Sequence, residues 1–192
     1  MARRNEHSKE ELREKAINTA ESIVTREGYR SLNARRVAAE MDYTAGTLYL
    51  LFKNFDELIM QINGRTLDAL HKSLSDLHAS GGGIEELAIG YIRFAKQHNN
   101  LWKLLYEYHP SSDTLRPGWY HEKLDRLFLL VETVLQHSDS GIPSYQIRIA
   151  TTALWSAIHG ICTLEMDERL QLSVDSSAEE VARFMVKRFM HQ

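Results

Sequence analysis

Cysteine occurs once in this chain of 192 residues, at Cys162, inside an apolar helical pattern. A single thiol excludes a disulfide framework and any multi-cysteine metal site, and its setting predicts a buried, reduced side chain. Long hydrophobic runs are missing too. No window approaches the roughly 18 uninterrupted apolar residues of a membrane span, and the opening MARRNEHSKEELREK passes straight into charged residues without the apolar core of a signal peptide. A cytosolic protein with no membrane partner is expected. There is no excess of positive charge: the net charge of −3 excludes a uniformly basic, nucleic-acid-binding coat. Residues 1–57 hold ten Lys/Arg and ten Asp/Glu, and residues 58–192 hold thirteen and sixteen. Any affinity for nucleic acid must therefore come from local placement of Arg3, Arg4, Arg30, Arg35, Arg36 and Lys53, which sit near segment ends or on short elements.

Catalytic constellations are absent from the pattern as well. The nine histidines are scattered, and His71 and His78 stand seven apart, two helical turns where a ligand pair on one helix wants a single turn. The run SGGG follows a helical segment and no Lys-Ser/Thr follows it, so it is not a phosphate loop. Carboxylates fall mostly on the polar faces of helices. No metal, no cofactor and no enzymatic activity are expected.

Helical periodicity, by contrast, runs through the chain, and nowhere is there sustained period-two alternation. Ser8 and Glu11 match a capping box, and Leu12, Ala16, Thr19, Ala20, Ile23 and Val24 follow at helical spacing up to Gly28, which offers a left-handed stop. Asn33 caps a short second helix with Val37, Ala38 and Met41 inward, and Asp42 and Tyr43 interrupt it. Thr44 caps a third, with Leu48 and Phe52 inward. Asn54 and Glu57 form another capping box and open a longer helix that ends at ASGGG, residues 79–83. Further helices are predicted at about 84–98, 100–108, 119–137, 144–167 and 177–190. The fold class is all-α, about nine helices. Residues 1–55 would form a helix-turn-helix domain, and 56–192 a larger helical domain for ligand binding and dimerisation.

In DYTAGTLYLLF, residues 42–52, the third helix opens on small residues where surface helices usually carry Lys or Glu. Two short helices joined by a tight turn, the second with a smooth leading end, are the makings of a helix-turn-helix that lays its second helix in the DNA major groove. Small residues there let the backbone approach base edges: Thr44 and Thr47 reach phosphates or bases, Ala45 or a threonine methyl meets a thymine methyl, and Gly46 gives the closest approach. VAAEMDYTAGTLYLLFKNFDEL, residues 37–58, resembles the helix-turn-helix core of the TetR/AcrR family of transcriptional regulators, with Val37, Ala38, Thr44, Gly46, Thr47, Leu48, Tyr49, Phe52, Glu57 and Leu58 in register. LWSAIHG, residues 154–160, resembles the Trp and His-Gly signature of a C-terminal domain class found on some of these regulators. Three positions depart from the pattern. Asp42 stands where the family has Gly, a place Asp tolerates because it enters left-handed backbone space more readily than most residues. Leu51 stands where the family often has His, and Phe55 where it commonly has Lys, so two phosphate-directed side chains are missing.

The resemblance implies a homodimeric, ligand-responsive regulator, a repressor in most of the family, whose partners are double-stranded DNA, a small molecule and a second copy of itself. The DNA-binding residues would be Arg35, Arg36, Thr44, Ala45, Gly46, Thr47, Tyr49 and Lys53. Tyr49 either donates to a phosphate, as the resemblance implies, or caps the small N-terminal core. Dimers of this motif set two recognition helices roughly 34–36 Å apart, or a multiple of that, on a near-palindrome. The small stripe Ala150, Ala153, Ala157 and Gly160, and the recurrence of Ala178, Val181, Ala182, Met185 and Phe189, would serve either as an intersubunit four-helix bundle or as ordinary core. The interface set is Ala153, Ala157, Gly160, Val181, Met185 and Phe189. Tyr91, Phe94, Trp102, Tyr106, Phe128, Trp155 and His159 would, by the resemblance, enclose the inducer; packing alone also accounts for any one of them. The competing class is a helical small-molecule-binding protein whose helix-turn-helix no longer binds DNA.

Overall fold

Apolar residues at helical spacing become nine α-helices, with no strand, among the described residues. The computed structural model describes residues 8–111, 116–138, 141–170 and 175–190, so Arg3 and Arg4 lie outside it. The helices are α1 (Lys9–Glu27), α2 (Ala34–Glu40), α3 (Ala45–Leu51), α4 (Phe55–Ala79), α5 (Ile84–Gln97), α6 (Asn99–Glu107), α7 (Gly118–Gln136), α8 (Ile147–Met166) and α9 (Ala178–Met190), with 3-10 turns at Tyr29–Ser31 and Ser144–Gln146. The helix starts follow the capping residues read from the sequence. Ser8 Oγ accepts from Glu11 N at 3.2 Å while Glu11 Oε2 accepts from Ser8 N at 2.7 Å, and Asn33 Oδ1 accepts from Arg36 N at 3.0 Å. Gly28 ends α1 with φ 79° and ψ 163°. That is an extended backbone of positive φ, not the left-handed helical stop expected, and it belongs almost solely to glycine.

Two compact units divide the chain, Met1–Thr66 with Asn100–Tyr120 and Leu67–Asn99 with His121–Gln192. In the first, Ala16, Ile17, Ala20, Ile23 and Val24 of α1 meet Val37, Ala38, Met41, Leu48, Leu51 and Phe52, all buried. Leu58, Ile59 and Ile62 of α4 and Leu104 of α6 join the same cluster. A three-helix segment of about fifty residues offers little apolar area for a core of its own, so the unit draws in chain well beyond residue 55. Each fully buried aliphatic side chain of this set contributes about 1.5–3 kcal/mol. Polar ties accompany the packing. Asp56 is buried and accepts from Tyr108 Oη at 2.5 Å, Ser111 Oγ at 2.8 Å and Ser111 N at 3.2 Å, while Asn100 Nδ2 donates to the Thr25 carbonyl at 3.0 Å.

In the second unit α9 packs along α5 and α8. Buried Ile84, Leu87, Ala88, Ile92 and Ala95 of α5 and Leu154, Ile158, Ile161 and Cys162 of α8 supply its interior. Gly90 lies against Leu77 and Leu74 of α4, whose side-chain ends would have to shift to admit a Cβ there, at 2.4 and 3.1 Å. Arg93 forks onto both oxygens of Glu179 at 3.0 and 2.9 Å, and Lys96 pairs with Glu165 at 2.5 Å. Cys162 is buried as predicted, and burial pushes its thiol up to about 12, which leaves it without nucleophilic character at neutral pH.

Candidate nucleic-acid interface

The turn between α2 and α3 is a Schellman motif built on Asp42. Tyr43 N donates to the Ala38 carbonyl at 2.9 Å, Asp42 N donates to the Ala39 carbonyl at 3.1 Å, and Asp42 itself has φ 64°. Two basic residues of α1 then hold the ends of the two short helices. Lys15 Nζ donates to the Met41 carbonyl at 2.9 Å. Arg13 donates to the Leu51 carbonyl at 2.6 Å and to Glu57 Oε1 at 2.6 Å, with its guanidinium carbon 4.3 Å from the centroid of the Phe52 ring. Cations at helix C-termini satisfy orphan carbonyls and complement the helix dipole, so α1 fixes where α3 points. Burial opposes ionisation of Glu57, yet hydrogen bonds from Arg13 and from the Lys53 amide, at 2.7 Å, leave its pKa lowered. Leu51 is buried in the core and Phe55 packs against it, so the two departures from the family pattern serve packing here.

Leu48 and Leu51 turn α3 inward, which leaves Gly46, Tyr49 and Leu50 facing out; Tyr49 is 58% and Leu50 76% exposed. Ala45 and Thr47 are half-buried and Thr44 is exposed. Thr44 takes the N-cap position but makes no side-chain cap bond, contrary to the sequence reading. The Thr47 amide is already taken by the Thr44 carbonyl at 3.0 Å, and the Thr44 hydroxyl turns toward that of Thr47, a long contact at 3.4 Å. Arg35 and Lys53 are exposed and form no ion pair among the described residues. Arg36 is held instead: its two terminal nitrogens meet Glu27 at 2.7 and 2.5 Å, and its Nε meets Glu40 at 3.3 Å. Arg26 closes this cluster on Glu40 at 3.0 Å. The Arg36 hydrogen bond lowers the pKa of Glu27, that from Arg26 lowers the pKa of Glu40, and the Glu27 bond raises that of Arg36, so all stay charged around neutrality. Arg13 was legible in principle, because a charged residue in register with Ala16, Ala20 and Ile23 on a buried stripe signals a specific partner. Nothing in the spacing announced Lys15, Glu27 or Glu40.

The residues assigned to a ligand fall in both units. Trp102 and Tyr106 belong to the first, their ring centroids 5.0 Å apart. In the second, Tyr91 Oη lies 3.0 Å from His159 Nδ1, Trp155 stacks on His159 at 5.2 Å, and Phe128 meets Trp155 at 5.8 Å. Burial lowers the pKa of His159, so its imidazole is neutral. Phe94 contacts His98 at 4.5 Å and lines a half-open groove of about 440 Å³ between α4 and α5 that also takes in Arg93, Gln97 and Arg183. Of the residues assigned to an interface, Ala153 is exposed, and Ala157, Gly160, Val181, Met185 and Phe189 are half-buried. They belong to a larger uncharged surface. No Asp, Glu, Lys or Arg occurs from Ile149 to Leu164, and Ile149, Thr152, Ser156, Thr163 and Leu164 are exposed there, as is Phe184 on α9. Residues 144–166 are long and apolar enough to cross a membrane by length and composition alone, because the outer face of α8 is uncharged from Ile149 to Leu164.

Comparisons with known proteins agree with this architecture. The profile of the tetracyclin repressor-like C-terminal domain matches residues 84–189. An uncharacterised HTH-type transcriptional regulator of Haemophilus influenzae is 28% identical over 100 residues, 52% of this chain; the match spans 50% of that relative's length. A protein of unknown function from Rhodococcus sp. RHA1 has a fold that superposes with a TM-score of 0.76 at 19% identity, covering 99% of this chain and 98% of its own. The TetR family regulator PfmR from Thermus thermophilus superposes with a TM-score of 0.61 at 15% identity, over 92% and 97% of the two chains. An N-terminal helix-turn-helix braced by α1, a larger helical part, and a family profile spanning more than half of the sequence lead to one assignment: the chain belongs to the TetR family of transcriptional regulators.

Proposed function

We propose that this protein binds a near-palindromic operator as a homodimer and that a small molecule held by its helical C-terminal part releases it. The observation that carries the reading is the outward face of α3, where Gly46, Tyr49 and Leu50 are left unpacked while the turn and both helix ends are fixed by α1. A surface helix with no role would carry charged residues at those positions. Thr44, Thr47, Tyr49, Arg35 and Lys53 are the phosphate-directed groups, Ala45 and Gly46 bring the backbone close to the base edges, and Arg36 joins them once a phosphate displaces Glu27. Dimerisation is supported by α8. The outer face of α8 carries no charge from Ile149 to Leu164, and a second copy laid on Ile149, Ala153, Ala157, Gly160 and Leu164, with Val181, Met185 and Phe189 alongside, would cover its apolar side chains. Gly160 leaves open space, since a Cβ there would meet nothing within 4 Å.

Release follows as a population shift. Ligand bound within the second unit, among Tyr91, Phe94, Phe128, Trp155 and His159, favours a separation of the two recognition helices that no longer matches successive grooves. A differential affinity of a few kcal/mol between the two separations suffices. Selection of the purified protein on random duplexes at two salt concentrations tests operator binding. Enrichment of a near-palindrome, with affinity falling steeply as salt rises, is expected, and no enrichment at either concentration refutes it. For the dimer, Ala153→Glu places a charge on the uncharged face. Light scattering should give twice the 22.1 kDa chain mass for the parent and about the chain mass for the variant. A monomeric parent sinks the dimer.

A further inference from the structure

Leu50 is the one large aliphatic side chain on the outward face of α3, and at 76% exposure it is far more open to water than its neighbours Leu48 and Leu51. One turn back stands Gly46, which has no side chain to lean on. Gly46 and Leu50 stand one turn apart on the same face, and neither is covered by another part of the protein. A Cβ at Gly46 would meet only the Thr44 hydroxyl, at 3.6 Å, so nothing of the protein fills the space on that side. Gly46 near the start of α3 and Leu50 near its end thus leave an apolar outward line along the helix, with the Thr44 and Thr47 hydroxyls beside its start and Lys53 beyond its end. Burial gives Leu50 no structural role to account for it.

We infer that Leu50 is a specificity-determining residue that reads the C5-methyl group of a thymine in each operator half-site, an inference that rests on the operator binding proposed above. The thymine methyl is the apolar group that the four bases present in the major groove, and a leucine without polar atoms can discriminate by no other contact there. Phosphate-directed side chains such as Arg35 and Lys53 fix register and orientation without carrying sequence information. On this division Leu50 supplies selectivity, and those cations supply affinity.

The test uses the full-length protein and the near-palindrome it selects, with thymines replaced one position at a time, symmetrically in both half-sites, by deoxyuridine, which lacks only the methyl group. With the parent, one position should weaken binding about fourfold per half-site, the value of one methyl-sized apolar contact. Leu50→Ala should bind the thymine duplex more weakly and be insensitive to deoxyuridine at that same position. Because Leu50 is exposed the variant should unfold at the parent's temperature, which separates lost contact from lost fold. Lys53→Ala serves as the contrast: it should weaken every duplex alike and keep the methyl sensitivity. A parent indifferent to deoxyuridine everywhere, or a Leu50→Ala variant with undiminished sensitivity, overturns the inference and leaves operator binding standing. A parent that selects no duplex overturns both.

Discussion

Replacing Asp42 tests whether the turn geometry governs the stability of the helix-turn-helix. Asp42 has φ 64° at the position after the α2 cap, with both Schellman hydrogen bonds formed on either side of it. Left-handed backbone costs a residue with a Cβ roughly 1–2 kcal/mol, less for Asp and Asn, whose short polar side chains ease entry into that region. The carboxylate also stands at the C-terminal, negative end of α2, an unfavourable place that costs about 0.3–1 kcal/mol at the surface. Asp42→Gly removes both penalties and adds about 0.5–1 kcal/mol of unfolded-state entropy, so a net gain of about 1 kcal/mol is expected. In a chain of this size that corresponds to a rise of about 2–4 °C in midpoint temperature. Asp42→Asn keeps the backbone tolerance and removes the charge, and should gain a few tenths of a kcal/mol. Asp42→Ala also loses the charge, so it should fall about 1 kcal/mol below Asp42→Asn, because it trades the tolerant side chain for one that resists positive φ. Urea unfolding followed by circular dichroism ranks the series. An alanine variant as stable as the asparagine variant, or a glycine variant no more stable than the parent, would refute the assignment of strain to this turn.

Arg13→Ala removes the bond to the Leu51 carbonyl, the Glu57 pair and the contact with Phe52, and should cost about 2 kcal/mol in urea unfolding. Arg13→Lys should recover less than half, since an ammonium cannot fork between carbonyl and carboxylate. Glu27→Ala removes the pair that a phosphate must displace from Arg36, so duplex affinity should rise severalfold while the salt slope stays the same; an unchanged affinity would mean that Arg36 stays away from DNA. Burial depresses the pKa of His159 below its ordinary 6.5, so below that pH the unfolded chain binds the proton more readily and stability falls as pH falls. The thermal midpoint should drop on acidification through 6.5, and His159→Gln should flatten the drop in part, the remainder including His71, whose pKa burial also lowers. An identical pH profile in the variant would place the proton uptake elsewhere.

Helix positions, their caps and the all-α class were legible in the sequence because they rest on short-range rules: a helical period of about 3.6, Ser8 or Asn33 bonding an amide three residues on, and a positive-φ residue after α2. The motif at residues 37–58 was legible for the same reason, since the spacing of Leu48, Tyr49 and Phe52 is local to one short helix. Other features were decided by atoms distant in the chain. The sequence could not show that Arg13 reaches Leu51, that Arg36 is occupied by Glu27, or that Leu104 of α6 enters the core of the first unit, because each depends on where whole helices come to rest. The missing Thr44 cap is a local matter by contrast: the Thr44 carbonyl, three residues away, takes the Thr47 amide in place of the hydroxyl. By itself the sequence determined which segments are helical and which faces are apolar; only tertiary structure decided which charges are engaged in holding α2 and α3 in place and which side chains, Leu50 foremost, remain facing outward. The physical reason is range: helix formation and capping act over three or four residues, whereas ion pairing and burial depend on neighbours brought together by the packing of the entire unit.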